Sequence, residues 1–255
     1  MTHTFGFEFE VTRLRVQSAK DALVLAGINA TAPGYTHAVS DSWKVVPDGS
    51  VHNGCEVVSP ILTADRINTA TPVCKALKAA GASVSTATGF HVHIGANALT
   101  TPDALGRLVR SWYSVHHATG ALVAPSRINN RFCTTLNQRA AEGQAENSYR
   151  PGRYVSLNLE SMDRHGTVEF RLHQGTLNPT KAIAWAQYCD AFVKIANAGI
   201  DLSVYTDEGL QHLARWSARY RDSAQAGLLL DWMVAGNWIT PNAGGYLKTR
   251  GIVLQ

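Results

Sequence analysis

Charge is scarce in this chain. Only 16% of its 255 residues are Asp, Glu, Lys or Arg, while 45% are hydrophobic, a balance that argues against disorder and allows a sizeable core. No stretch approaches the roughly 20 uninterrupted apolar residues that cross a bilayer. The opening residues, Met1 to Glu8, lack the basic and apolar regions of a signal peptide, so a cytoplasmic protein without membrane contact is expected. Cys55, Cys74, Cys133 and Cys189 form no CxxC pair, which argues against a zinc knuckle or a disulfide framework and predicts reduced, buried thiols. Neither GxxxxGK[ST] nor GxGxxG occurs, so no glycine-rich phosphate-binding loop is expected. Lys and Arg exceed Asp and Glu by 23 to 19, a net charge of +4 spread too thinly to establish nucleic-acid binding.

What is present is a series of short helical and strand-like segments without an internal repeat. Helical spacing predicts helices over 17–26 and over 64–80, the latter with Pro72 as an internal break. A third starts from a Thr101 cap and Pro102 and runs through Leu105, Leu108, Val109 and Trp112. Pro179 opens a fourth that ends near Gly199, and two closing helices are predicted over 210–220 and 224–234. Strict alternation predicts strands over 5–11, 43–46, 56–59, 90–94, 154–159 and 168–172. Asp48-Gly49 and Asn53-Gly54 are turn dipeptides, so the second and third strands should form an antiparallel hairpin region. Residues 124–152 are polar, rich in Arg and Asn, and read as one long loop. The interspersed elements predict an α+β fold, a mostly antiparallel sheet with helices on one face. We expect residues 1–200 to form the core and 201–255 a C-terminal helical segment on the same domain.

Splitting each strand by its period of two gives the informative result. Phe5, Phe7, Phe9 and Val11 share one face and Gly6, Glu8 and Glu10 the other. Phe90, Val92 and Ile94 oppose His91 and His93, and Val168, Phe170 and Leu172 oppose Glu169, Arg171 and His173. In the fifth strand Asn158 shares the polar side with Tyr154 and Ser156. The chain has only eight glutamates, and Glu8, Glu10, Glu56 and Glu169 all fall in strands, where Glu is disfavoured. Carboxylates about 4 Å apart repel by a few kcal/mol at a surface-like dielectric, so such a face is tolerable if cations sit among the groups. Oxygen ligands with occasional imidazole favour Mg²⁺ or Mn²⁺ over Zn²⁺.

Several motifs carry a resemblance. FGFEFE, W-x₄-DGS-x₅-EVVSPIL from Trp43, GFHVHIG from Gly89, SRINNRFC from Ser126, RYVSLNLES and GTVEFRLHQGTLNP resemble the amidoligase family, a branch of the carboxylate–amine ligase superfamily alongside glutamine synthetase and glutamate–cysteine ligase. The resemblance implies a glutamine-synthetase-like catalytic fold, a curved mostly antiparallel sheet with helices outside. It implies an ATP-dependent ligase that joins a carboxylate to an amine through an acyl-phosphate, with Mg²⁺ (or Mn²⁺) at the triphosphate. Carried over residue by residue, Glu8, Glu10, Glu56, His93 and Glu169 would hold the metals, and Arg171 would contact the phosphates in transfer. Glu56 and Asn158 join Arg171 as catalytic candidates. His91, Arg127, Arg131, Asp48, Ser50 and Trp43 are assigned to nucleotide or substrate.

Two other readings stay open. His91, His93 and a Glu could hold a metal whose bound water attacks an amide or ester, a hydrolase that needs no ATP. The Arg-rich stretch from Arg127 to Arg153 could hold nucleic acid, although only Phe132, Tyr149 and Tyr154 offer stacking, which ranks this reading low. The partners implied are therefore small-molecule or peptide carboxylates and amines, with homo-oligomerisation left open.

Overall fold

Alternation in the first strand organises the sheet. In the computed structural model, which describes residues 3–205, 210, 216 and 221–251, Phe5, Phe7, Phe9 and Val11 are all buried on the helix-covered side. The chain runs β1 (Thr4–Thr12), α1 (Val16–Leu25), β2 (Ala30–Thr31), β3 (Trp43–Val46), β4 (Gly54–Val58), β5 (Leu62–Thr63), α2 (Ala70–Ala79) and β6 (Phe90–Gly95). It continues with α3 (Ala104–Ser114), α4 (His116–Ala121), α5 (Gln138–Ala145), β7 (Leu157–Asn158), α6 (Glu160–His165), β8 (Thr167–Phe170), α7 (Pro179–Asn197), α8 (Ser223–Ala235) and α9 (Pro241–Gly251). The strand order is β2-β3-β4-β1-β6-β8-β7, with β5 pairing the start of β1. All these pairings are antiparallel except β2 with β3.

The helices stack behind the apolar face. α1 packs on β3 and β4, α7 on β6, and α2 against both α1 and α7. An aromatic block fills the centre: Trp112 makes edge contacts with Phe170, Trp185 and Phe192, and its indole N–H donates to Ser156 Oγ at 2.9 Å. α8 packs on α4, and α9 on α7 and α8. No helix among the described residues is long and apolar enough to cross a membrane.

Several local expectations need correction. Pro72 does not break a helix; a 3-10 segment, Ala64–Thr69, precedes α2, and Pro72 sits in its first turn, where a missing N–H costs nothing. Thr101 is not the cap of α3, because the cap position falls to Asp103, a non-glycine residue at φ +57° whose carboxylate pairs with Arg110. The stretch 124–152 is no single loop: it holds a 3-10 turn, Pro125–Arg127, and α5, whose cap Asn137 accepts from the Ala140 N–H at 3.0 Å. The fifth strand shrinks to β7, since Leu159 already has helical backbone angles and caps α6. The helix predicted over 210–220 lies for the most part outside the described residues.

His116, at the start of α4, gives this core a pH dependence. Burial, then the neighbouring His117, lowers its pKa to about 4. In the unfolded chain it takes a proton near pH 6.5. Between those values the unfolded state binds one more proton, so stability is full above pH 6.5 and is lost as the pH falls. We expect urea unfolding of His116→Leu to lose about 1.4 kcal/mol per pH unit less than wild type across pH 6 to 4.5. Parallel profiles for the two proteins would remove His116 from the acid response.

Candidate active site

Direct cross-strand neighbours share a face, and the register therefore assembles the polar groups without help from loops. Glu10 lies opposite Glu56 and Glu8 opposite His91. His93 lies between Gly6 and Glu169, and Glu169 also faces Asn158. The result is a diagonal band across β4, β1, β6, β8 and β7. This band is not a solvated surface: Glu10, His91, His93, Asn158, Glu169 and Arg171 are all buried, in the wall of a cavity of about 370 Å³.

Each group is held by partners that leave donor atoms aimed inward. Glu8 reaches His91 Nδ1 at 3.0 Å through one oxygen and His93 Nε2 at 3.3 Å through the other. His93 Nδ1 lies 2.8 Å from Thr167 Oγ1, which orients the ring and leaves Nε2 buried without a well-formed hydrogen bond. Glu10 accepts from the Gly89 N–H at 2.6 Å. Glu169 accepts from Asn158 Nδ2 at 2.6 Å and pairs with Arg171 Nη1. Arg127 lies beneath, donating to the carbonyls of Leu172 at 3.1 Å and Arg171 at 2.8 Å, so it fixes the backbone that carries Arg171. Asp48 accepts from the backbone N–H and hydroxyl of Ser50 at 2.7 and 2.8 Å.

The carboxylates do not share one electrostatic fate. Burial works against ionising Glu8, yet the charge of His93 and the close contacts with His91 and His93 hold it well below the usual range. Burial likewise opposes ionisation of Glu169, and Arg171 followed by His93 overcomes it. Glu56 goes the other way: burial, then Glu8, Glu10, Asp48 and Glu169, push it well above the carboxylate range. His93 is raised, because Glu8 and Glu169 outweigh the cost of burying its cation.

Three overlapping triads bring one donor atom from each member within 4.8 Å of the others: Glu8 with His93 and Glu169, Glu8 with Glu56 and His91, and Glu10 with Asp48 and Glu56. Glu8 and Glu56 each belong to two, so neighbouring cations could share a carboxylate. The oriented His93 ring, whose buried Nε2 has no well-formed hydrogen bond, and a half-buried Glu56 that resists ionisation fit bound divalent cations. Carboxylate oxygens with two imidazoles are donors suited to Mg²⁺ or Mn²⁺.

The structure brings together Glu8, Glu10, Glu56, His93 and Glu169, with Asn158, Arg171, Arg127, Asp48, Ser50 and His91 in the same cavity wall. His91 and Asp48, assigned from sequence to nucleotide or substrate, stand at ligand distance within the triads. Trp43 is a correction. Alternation turns it to the helix side, where it is 5% exposed and its ring lies 6.3 Å from that of Phe9, so it cannot touch a ligand in the cavity. Arg131 is not brought into the cavity lining: it is exposed, and its guanidinium lies 4.7 Å from the Phe132 ring.

Sequence reasoning missed Lys44, Arg164 and His165, and placed Arg153 only in the Arg-rich stretch. Lys44 lies opposite Val58 on the acidic face, buried, its ammonium donating to the Ala38 carbonyl. The alternation of β3 carries that signal, since Trp43 and Val45 take the core side. Arg153, Arg164 and His165 line the cavity from an irregular stretch and a six-residue helix, where no period marks them.

A family model described as "Putative amidoligase enzyme" matches residues 1–153 and 138–193. No curated protein matches the chain. Among solved structures, the complex between the prokaryotic ubiquitin-like protein Pup and its ligase PafA aligns with a TM-score of 0.43 at 9% identity, over 99% of this chain and 64% of that one. The chain thus spans under two thirds of that protein's length.

Proposed function

The chain belongs to the amidoligase family, and from that premise we propose that it is an ATP-dependent ligase joining a carboxylate to an amine through an acyl-phosphate. The observation that carries this reading is the chain of triads able to hold metal, sharing Glu8 and Glu56 beside a buried Arg171. On this reading the fold is a glutamine-synthetase-like catalytic fold, with residues 1–200 as its core and 201–255 as a helical segment on the same domain.

A carboxylate oxygen of the first substrate attacks the terminal phosphorus of ATP, and ADP leaves. The amine then attacks the acyl carbon, phosphate leaves, and the amine gives up a proton. Glu8, Glu10, Glu56, His93 and Glu169, with His91 and Asp48, would hold divalent cations, which would supply charge neutralisation on the phosphate oxygens. Arg171 offers a planar fork to the phosphoryl group in transfer, and Glu169 fixes that fork's direction. Asn158 holds Glu169 through Nδ2, while its Oδ1 accepts from the Glu160 N–H at 2.9 Å. Arg127 supports the strand end beneath.

Incubation with ATP, Mg²⁺ and pools of amino acids and peptides should yield products lighter by one water than their summed substrates, read by mass spectrometry. Cleavage of an amide or ester without ATP would instead identify a metallohydrolase. In a separate measurement, Mg²⁺ or Mn²⁺ with nucleotide should raise the melting temperature, because ligands that bind only the folded state stabilise it. EDTA should cancel that rise; an unmoved melting temperature would remove the metal role of the triads.

A further inference from the structure

Gly89 is buried at the entry to β6, and the alternation of that strand puts it on the polar face with His91 and His93. Its N–H donates to Glu10 Oε2 at 2.6 Å, and its carbonyl accepts from the Glu10 N–H at 3.2 Å. Both backbone groups are thus engaged by Glu10, the carboxylate that shares a triad with Asp48 and Glu56.

Backbone conformation does not explain a glycine here. The φ of Gly89 lies outside the left-handed region, so the position makes no use of that freedom. Space does explain it. A Cβ at position 89 would lie 2.7 Å from His91 Nε2, 3.3 Å from His91 Cδ2 and 3.4 Å from Arg127 Nη2. The first distance is well inside van der Waals contact, so something would have to shift. Neither neighbour yields freely. His91 Nδ1 is held by Glu8 Oε2 at 3.0 Å, and Arg127 Nη2 donates to the Arg171 carbonyl at 2.8 Å. With Nδ1 engaged by Glu8, Nε2 is the nitrogen that His91 can offer to a cation in the triad with Glu8 and Glu56. The gap left by the missing side chain lies against that atom.

We infer that Gly89 is a positioning residue of the candidate metal site: its missing side chain keeps His91 Nε2 uncovered, and its N–H aims Glu10. One backbone position thereby serves two of the three triads. A part in ligation rests on the ligase reading above; the part in cation binding does not. Groups that orient metal ligands typically change affinity by about 10–100-fold when they are altered.

Gly89→Ala separates the space from the hydrogen bond, because alanine keeps the N–H that Glu10 accepts. The full chain is titrated with Mn²⁺ by calorimetry, without nucleotide and below the melting range of each variant. Gly89→Ala should bind Mn²⁺ about tenfold more weakly than wild type, or worse, and His91→Ala should show a comparable loss. Once the ring is gone, adding Gly89→Ala to His91→Ala should cost less than about threefold further, since the contact no longer exists. A glycine needed only by the backbone would act alike in both backgrounds. A smaller loss in Gly89→Ala, His91→Ala without effect, or a further loss beyond threefold in the double variant would overturn the positioning role. Where Gly89→Ala does not fold, the double variant decides: recovery of the fold supports the contact with His91, and a second failure overturns it. Absence of Mn²⁺ binding by wild type would overturn the role together with the metal assignment of the triads. The expected Mn²⁺ pattern without any ATP-dependent ligation would leave Gly89 in place and count against the ligase alone. Ligation by wild type, with Gly89→Ala binding Mn²⁺ as wild type does, would do the reverse.

Discussion

Arg171→Lys should lower ATP turnover by about 10²–10³ while leaving ATP binding nearly unchanged. Arg171 is 9% exposed, and its guanidinium is aimed by Glu169 on one side and the Phe132 carbonyl, at 3.4 Å, on the other. On the proposed acyl-phosphate route, charge would build on the phosphoryl oxygens, so a fixed fork would contribute most in the transition state. Lysine keeps the charge and the pairing with Glu169, but presents a single ammonium where two parallel N–H groups were. Its loss should appear in kcat and spare the KM for ATP. The measurement uses the carboxylate and amine pair identified by mass spectrometry, in wild type and variant at saturating Mg²⁺. Equal turnover would remove Arg171 from the reaction and reduce it to a partner of Glu169.

The sheet was legible because alternation is a strong and local signal. β1, β3 and β6 lie where the period of two places them, and the residues that alternate with Phe7, Phe9 and Val92 are the ones that meet in the cavity. What alternation cannot say is which strands are neighbours. That β1 lies between β4 and β6, bringing Glu8 to His91 and Glu10 to Glu56, is set by long-range pairing. Short helices were the weakest point. α6 has six residues, fewer than two turns, and the isolated sequence gives such a segment no stable period. α5 was concealed by its polarity, since Ala141 and Gln144 alone are buried on it. Trp43 failed for another reason: it was placed by motif, although the alternation of its own strand assigns it to the core side with Val45.

The equality of the strand glutamates was also misleading. Spacing treats Glu8, Glu56 and Glu169 alike, as mutually repelling carboxylates. Their neighbours separate them: Glu8 and Glu169 have His91, His93 and Arg171 within reach, whereas Glu56 faces mostly other carboxylates. Without metal, Glu8 and Glu169 are thus satisfied ions, and Glu56 is the group that a cation must relieve.

That difference, set against the opposite face, gives the largest expected stability contrast. Phe7→Ala should cost about 3–5 kcal/mol in urea unfolding, because Phe7 is fully buried, its ring 6.1 Å from Phe9 and 5.7 Å from Phe90, and the cavity left can close only partly. Glu56→Gln, on the neighbouring strand and the other face, should leave metal-free stability unchanged or raised. The sign follows from the raised pKa of Glu56: its carboxylate form opposes folding, so stability contributed by the protonated group is lost as the pH rises through that value. The advantage of Glu56→Gln should therefore grow with pH and vanish in acid, where both side chains are neutral. The same variant should lose much of the melting-temperature rise produced by Mg²⁺ and nucleotide, since two of the three triads lose a carboxylate. Phe7→Ala, where it folds, should keep that rise. Equal destabilisation by both substitutions would mean that Glu56 is a structural carboxylate and that the polar band supports the fold instead of a reaction.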